Sequence, residues 1–233
     1  MTRAFAVRVA IGTPISLRGL LHLDGLLGSL VASRGLPYDD LPLERRDGIW
    51  LASAAILETG PFGAIDTTQV RIKHVVTNAV PAGILDHLKP GHRKIDTMSP
   101  MRNALTPYPT IEGVRAAWFT GRGNVDAVVE LLADARNLGA MGRTGYGKVS
   151  SLEGFEAAND ALTGLASDSG SPMRTVALAA WDALGLGRHT DAVVALQRPS
   201  PPYWTGPSVP CISPTQVTMT GTRTEIRAFL RCL

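Results

Sequence analysis

A glycine-rich segment at residues 139–149, Gly-Ala-Met-Gly-Arg-Thr-Gly-Tyr-Gly-Lys-Val, combines the residue types that bind phosphates and bases. Its four glycines are Gly139, Gly142, Gly145 and Gly147. Glycine adopts backbone conformations that other residues seldom reach, and it lets a backbone lie close to a ligand. Arg143 and Lys148 supply cations for phosphate, and Tyr146 supplies an aromatic face that either stacks on a base or packs beneath the loop. The segment therefore predicts contact with a nucleotide or nucleic acid, and the alternative is a glycine turn that ends a helix without binding a ligand.

The same segment resembles a Walker A loop in spacing only. Gly142, Gly147 and Lys148 match G-x-x-x-x-G-K, but Val149 stands where the magnesium-binding Ser or Thr belongs. A Walker loop also follows a strand and opens a helix, so that the helix N-terminus faces the phosphates. Here a helix precedes the loop, and we therefore exclude a P-loop nucleoside triphosphatase.

That preceding helix has clear start and stop signals. Asn124 is a good N-cap, and valines and leucines recur at helical spacing behind it. We predict that Arg136 lies in the last turn and that Gly139 ends the helix. Residues 146–155 after the loop predict a strand.

Composition and charge distribution are compatible with nucleic-acid binding. The 233 residues are 45% hydrophobic, which allows one large domain or two small ones, and the net charge is only +3. The positive charge is clustered, both in the glycine segment and in the middle of the chain. The middle cluster comprises Lys89, His92, Arg93, Lys94 and Arg102. These basic segments predict contact with RNA or DNA.

No pattern in the sequence indicates a metal, another cofactor, a disulfide framework or a membrane segment. Cys211 and Cys232 lack the close spacing of a zinc site. Arg8 interrupts the first apolar stretch, so the N-terminus does not resemble a signal peptide, and no apolar run approaches the ~20 residues of a membrane helix. We expect a soluble, cytoplasmic protein that binds no cofactor.

The hydrophobic pattern alternates between strands and helices. A strand is predicted at residues 5–11, a helix at 20–31 and further strands at 48–58, 69–76 and 114–119. Arg71 and Lys73 lie on one face of the predicted strand at residues 69–76, where they either contact RNA or are solvated. Residues 77–110 look irregular, and a connection of this length is functional or disordered.

The remaining sequence predicts a C-terminal extension. Residues 163–172 read as a linker, residues 176–184 as a helix, and six prolines between Pro199 and Pro214 surround Tyr203 and Trp204. Such a segment wraps either its own domain or a partner. We place a first domain at residues 1–160, with an insertion at about 77–110, and an extension or small second subdomain at 161–233. The order of elements predicts an α+β, ferredoxin-like fold with a basic insertion.

Three segments in this order resemble the RAMP superfamily of CRISPR proteins, and more narrowly the type IV subunit of the Cas-five group. They are His22–Asp24 at the start of the first helix, the glycine segment Gly139–Lys148, and Arg198–Trp204. The resemblance spans most of the chain. It implies a ferredoxin-like (RRM-like) RAMP fold.

The resemblance also implies a non-catalytic role in antiviral defence, within a ribonucleoprotein complex. Such a subunit caps the 5′ handle of the guide RNA (crRNA), contacts the backbone subunit and helps to read the motif that flanks the DNA target. The implied RNA contacts are the glycine segment, His22 and the middle basic cluster. Arg71, Lys73, Arg198, Tyr203 and Trp204 are candidate contacts to a partner or nucleic acid.

Two other functions stay open at this point. The first is a metal-independent endoribonuclease of the related Cas-six group, with His22 or His92 as general acid or base. In that group, however, the glycine loop lies near the C-terminus, whereas more than eighty residues follow it here. The second is a protein-interaction module that uses the proline-rich segment and binds no nucleic acid.

Overall fold

The computed structural model describes residues 3–74, 103–157, 164–167, 169–187, 192–201, 203, 206–215 and 219–230. The strands are Arg3–Ile11 (β1), Arg45–Arg46 (β2), Ile49–Trp50 (β3), Ile56–Thr59 (β4), Ile65–His74 (β5), Asn103–Glu112 (β6), Val114–Gly123 (β7), Val149–Glu156 (β8), Val176–Ala177 (β9), Ala192–Gln197 (β10), Val209–Pro214 (β11) and Met219–Gly221 (β12). The helices are Leu23–Ser33 (α1), Val125–Leu132 (α2), Leu178–Ala183 (α3) and Arg223–Leu230 (α4).

The main sheet has five strands in the order β12-β4-β7-β1-β8. β1 is antiparallel to β7 and β8, β4 is antiparallel to β7, and β12 is parallel to β4. In the chain, α1 lies between β1 and β4, and α2 lies between β7 and β8. The fold is therefore a mixed α+β arrangement built around a sheet, as the element order predicts.

Both faces of β1 are buried, which explains why its apolar residues run almost without interruption. Phe5, Val7 and Val9 pack into the main core together with residues of α1 and α2. On the other face, Ala6 packs with Trp118 and with two residues of α4. These are Ile226 and Leu230.

A buried ion pair lies on this second face. Arg8 donates two hydrogen bonds to Glu58, at 2.7 and 2.9 Å, and Trp118 Nε1 donates to the same carboxylate at 2.8 Å. The three side chains therefore satisfy each other where the sheet is covered.

The inserted segment contains a long β-hairpin, and the prediction of irregular structure over residues 77–110 is wrong for residues 103–110. β5 and β6 pair from Ile65↔Glu112 to His74↔Asn103. Pro107 and Pro109 obscured the strand, because proline has no N–H for a ladder. The N–H and C=O of Ile111 form hydrogen bonds with Ile15, on the edge of β6 that faces away from β5. Pro107 and Pro109 are four and two residues before Ile111, so their nitrogens face the same outer edge and are not needed for pairing with β5. Residues 75–102, with Lys89, His92, Arg93, Lys94 and Arg102, lie outside the described residues.

Three other predicted boundaries need correction. The predicted strand over residues 48–58 is two short strands, β3 and β4. The residues between them form isolated hydrogen bonds instead of a continuous ladder. Ser53, for example, donates its N–H to the Thr120 carbonyl of β7 at 2.8 Å and accepts at its carbonyl from Leu23 N–H at the start of α1. The helix over residues 176–184 starts as β9, since Val176 pairs with Ile212. The Asn124 N-cap is confirmed, with its side chain accepting from Ala127 N–H at 3.2 Å, but α2 ends at Leu132, before Arg136.

The C-terminal part of the chain returns to the main sheet. β10, β11 and β9 form a separate three-stranded antiparallel sheet, after which β12 pairs with β4 and α4 covers the second sheet face. No sequence pattern predicted β12 or α4. Within the described ranges, no helix combines the length and apolarity that crossing a membrane requires.

Candidate nucleic-acid interface

A groove of about 710 Å³ lies where the end of α2, the glycine segment and the start of β8 meet. We call it the loop groove. It is lined by Ala133, Ala135, Arg136, Asn137, Gly142, Arg143, Gly145, Lys148, Val149, Ser150, Ser151 and Leu152.

Three cations converge on the loop groove without acidic partners. Arg136, Arg143 and Lys148 are all exposed, and none forms a salt bridge within the described part of the chain. Many other arginines are neutralised: Arg34, for example, lies 2.7 Å from Asp134. Unneutralised cations in a concave site concentrate positive potential and attract anions. The loop groove is therefore suited to a phosphate-bearing ligand.

Arg136 reaches the groove because the chain beyond α2 turns back instead of continuing the helix. Residues 136–138 form a short antiparallel pairing with residues 147–149, closed by Val149 N–H to the Arg136 carbonyl at 3.0 Å and Leu138 N–H to the Gly147 carbonyl at 2.8 Å. The glycine segment is thus a loop with a hydrogen-bonded base, and both ends of that base present cations to the same groove.

The segment Gly12–Ser16, which follows β1, holds this loop in place through hydrogen bonds. Ala140 N–H donates to the Ser16 carbonyl at 2.7 Å, and Gly147 N–H donates to the Pro14 carbonyl at 2.7 Å. Lys148 N–H donates to Thr13 Oγ1 at 2.9 Å. The loop ends are therefore fixed, while Arg143 and Gly145 at the tip are exposed.

The glycines serve different purposes. At Gly147, φ is +62° and a Cβ would lie 2.0 Å from the Leu138 carbonyl oxygen, so glycine is required for contact with the protein's own backbone. At Gly145, φ is +89° and the space around the Cβ position is open. The expectation of unusual backbone shapes is confirmed. The close backbone approach at Gly147, however, is to the chain itself.

One non-glycine residue of the loop also has left-handed backbone geometry. Met141 has φ 64° and precedes a short 3-10 helix at Gly142–Thr144. The N–H and Oγ1 of Thr144 both donate to the Met141 carbonyl, at 2.9 and 2.8 Å. Such a conformation costs about 1–3 kcal/mol and tends to occur at functional sites. The turn places Arg143 at the rim of the loop groove.

Tyr146 is not among the residues that line the groove. Its side chain is half-buried, and its carbonyl accepts a hydrogen bond from Asn137 Nδ2 at 2.9 Å. This bond ties the loop tip to its base. The two predicted roles of the Tyr146 ring, stacking on a base or packing beneath the loop, both stay predictions.

His22 lies in the interior and is not among the residues that line the loop groove. Its ring stacks on Tyr203 with centroids 4.8 Å apart, and its Nε2 accepts from Thr175 N–H at 3.3 Å. Burial, assisted by the charge of Arg174, lowers the pKa of His22 to about 3. The ring is therefore neutral at physiological pH, and its contacts are structural.

A buried ion pair holds the first and third resemblance segments together. Arg174 donates to Asp24 at 2.8 Å and to the Tyr203 hydroxyl at 2.8 Å, and that hydroxyl donates to Asp24 at 2.8 Å. Burial also raises the pKa of Tyr203 well above its usual value. The space for Tyr203 comes from Gly25, where a Cβ would lie 2.7 Å from the tyrosine ring. The sequence did not predict a role for Arg174, because it is a single arginine just after the predicted linker and belongs to no recognisable motif.

The other predicted contacts are dispersed. Arg198 is exposed, with its Nε donating to the Gly206 carbonyl at 3.0 Å. Arg71 and Lys73 lie in β5, where they pair with Thr106 and Ala104 of β6. Trp204 lies outside the described residues. Among residues 3–74, 103–157 and the later described stretches, no cluster of His, Cys, Asp and Glu could hold a metal ion.

Together, the fold and the groove define an α+β protein with a cationic surface site. The family model for Csf3, CRISPR type IV associated protein Csf3, matches residues 4–210. The chain therefore belongs to the Csf3 family of CRISPR type IV associated proteins. A comparison with curated proteins found no match. The resemblance is thus confirmed at the level of type IV CRISPR association, and membership of the RAMP superfamily and the Cas-five group stays a prediction.

Proposed function

We propose that this chain is a non-catalytic subunit of a type IV CRISPR effector complex and that its loop groove binds the 5′ handle of the guide RNA. The observation that carries the proposal is the convergence of Arg136, Arg143 and Lys148, all exposed and without acidic partners within the described residues, on one groove beside the glycine loop. Cations placed this way bind the RNA phosphates, which supply most of the affinity for nucleic acid.

We also propose that the core is the ferredoxin-like fold of the RAMP superfamily. The supporting observation is the strand order β4-β7-β1-β8, antiparallel throughout, with α1 and α2 in the two crossover positions. This arrangement is that of a split β-α-β fold. The β5–β6 hairpin is then an insertion between the second and third core strands.

The non-catalytic assignment is supported by the state of His22. A general acid or base must reach the reacting proton and exchange it near the working pH. His22 is buried, neutral and engaged by Thr175 and Tyr203. The ribonuclease alternative would then depend on His92, and specific cutting of repeat RNA in EDTA, lost in His92→Ala, would establish it.

The proposed partners are the guide RNA, the backbone subunit and other effector subunits, and target DNA near its flanking motif. Family membership supports association with type IV CRISPR components. The exposed Arg198 and the basic cluster between Lys89 and Arg102 are the proposed additional contacts.

Co-purification tests the proposal. The chain is expressed with its neighbouring effector subunits and a repeat array, and the RNA in the purified complex is sequenced. We expect RNA with one common 5′ end, and a strong loss of this RNA when Arg136, Arg143 and Lys148 are all replaced by Ala. Arg45→Ala, which removes a cation that contacts the Trp50 ring, is the control. RNA without a common 5′ end, or full retention by the triple variant, would contradict the proposal.

A further inference from the structure

The strand that forms one wall of the loop groove contains an irregularity next to the cations. β8 pairs with β1 through Ala10↔Ser151 and Ile11↔Val149, so Ser150 has no opposite residue. It is the extra residue of a β-bulge. Bulges disrupt the regular alternation of a strand and re-aim side chains, often beside functional sites.

The bulge has a specific consequence here. Successive side chains of a regular strand point to opposite faces. Ser150 and Ser151 are nevertheless both exposed, whereas Val149 and Leu152, the neighbours that line the same wall of the loop groove, are half-buried. Neither hydroxyl has a hydrogen-bond partner among the residues that the structure describes, whereas Asn137 Nδ2 donates to the Tyr146 carbonyl. The two serines thus offer free hydroxyls in the groove.

The cations and the serines can read different parts of a nucleic acid. Arg136, Arg143 and Lys148 suit phosphate, which RNA and DNA share, so they cannot distinguish the two polymers. A serine hydroxyl both donates and accepts, and so does the ribose 2′-hydroxyl that only RNA carries.

On the basis of the proposed function, we infer that Ser150 and Ser151 are specificity-determining residues that bind ribose 2′-hydroxyls and select RNA over DNA in the loop groove. The three cations hold the strand by its phosphates. The bulge directs the two hydroxyls to the sugar edge of that strand.

The test compares two probes on the purified full-length chain or its complex. The probes are the single-stranded RNA with the common 5′ sequence recovered from the complex and a DNA of the same sequence, both followed by fluorescence anisotropy. We expect Ser150→Ala and Ser151→Ala each to weaken RNA binding by about 2- to 10-fold. DNA binding should stay unchanged, so the preference for RNA falls. Ser29→Ala, which removes an exposed hydroxyl on α1 that bonds Leu26, is the matched control.

A second measurement uses the unaltered protein and therefore does not depend on the variants folding. Single 2′-deoxy substitutions along the RNA should reveal positions where affinity falls by a similar factor, and the double serine variant should be insensitive at those positions. Equal losses on RNA and DNA, or an unchanged RNA preference in the double variant, would overturn the serine inference while leaving the proposed function intact. If the unaltered protein binds no such RNA, the proposed function itself fails.

Discussion

At the scale of single residues, Arg174 is a key contact between distant parts of the chain. Its guanidinium is fully enclosed and bonds Asp24 and Tyr203, and it also donates to the carbonyls of Trp50 and Ala52 at 3.1 Å each. Removing one partner of a buried ion pair leaves an uncompensated charge, which is far more costly than losing an exposed pair.

We therefore expect Arg174→Met to lower the free energy of unfolding by about 3–5 kcal/mol. Urea unfolding followed by circular dichroism measures this change. Arg34→Met, which breaks the exposed pair with Asp134, is the control and should have little effect. If both variants unfold at the same urea concentration, the buried cluster does not have the stabilising role assigned to it.

His22 predicts a pH dependence of stability with a defined sign. The folded protein holds the pKa of His22 at about 3, whereas the unfolded value is near 6.5. Below pH 6.5 the unfolded chain takes up a proton that the folded protein does not, so stability is full above pH 6.5 and declines as the pH falls toward 3. The decline amounts to about 1.4 kcal/mol per pH unit, or about 2 kcal/mol between pH 6.5 and 5.

His22→Gln removes this titration but keeps a hydrogen-bond acceptor. We expect the free energy of unfolding of the variant to depend less on pH between 7 and 5 than that of the unaltered protein, by about 2 kcal/mol. Urea titrations at pH 7, 6 and 5 provide the comparison. Parallel pH profiles would show that His22 is solvated in the native state.

At the scale of elements, the glycine loop combines a fixed base with an exposed tip. Gly147 lies at the base, against the Leu138 carbonyl, and Gly145 lies at the tip in open space. Gly147→Ala must displace the pairing between residues 136–138 and 147–149, which positions Arg136 and Lys148. Gly145→Ala carries only the cost of positive φ, about 1–3 kcal/mol.

We expect Gly147→Ala to weaken handle-RNA binding much more than Gly145→Ala, because only the first moves two groove cations. Fluorescence anisotropy measures the affinities, and thermal unfolding verifies that each variant is folded. A larger loss for Gly145→Ala would indicate that backbone flexibility at the tip matters more than the position of the base.

The elements of this fold differ in how far local sequence determines them. Hydrophobic periodicity and the Asn124 cap are local signals, and they were sufficient to predict five elements: β1, α1, β7, α2 and β8. β6 was missed because its prolines are acceptable only on an outer edge, which depends on the pairing between Ile111 and Ile15. The candidate cations Arg143 and Lys148 were predictable from type and spacing. The addition of Arg136 and the two serines depends on a chain reversal and a bulge, and neither has a residue signature.

At the scale of the whole molecule, the N- and C-terminal parts form one connected structure. Arg174 and Tyr203 bond Asp24 in the first helix, β12 joins the main sheet and α4 covers the sheet face that carries Arg8 and Glu58. His22 and Asp24 of the first segment are therefore neighbours in space of Tyr203 in the third. Asp24, Arg174 and Tyr203 hold these parts of the fold together, whereas the glycine segment has the role of ligand contact in the proposed function.

The salt dependence of RNA binding tests this division most directly. The affinity for the handle RNA is measured by fluorescence anisotropy at KCl concentrations from 50 to 300 mM, which is about a sixfold range of ionic strength. For a single strand, each lost phosphate contact should reduce the slope of log affinity against log salt by about 0.7. We predict such a reduction for Arg136→Ala, Arg143→Ala and Lys148→Ala, their sum for the triple variant, and an unchanged slope for Arg45→Ala. A triple variant that retains the full slope would show that the RNA phosphates lie elsewhere on the protein and would contradict the assignment of the loop groove.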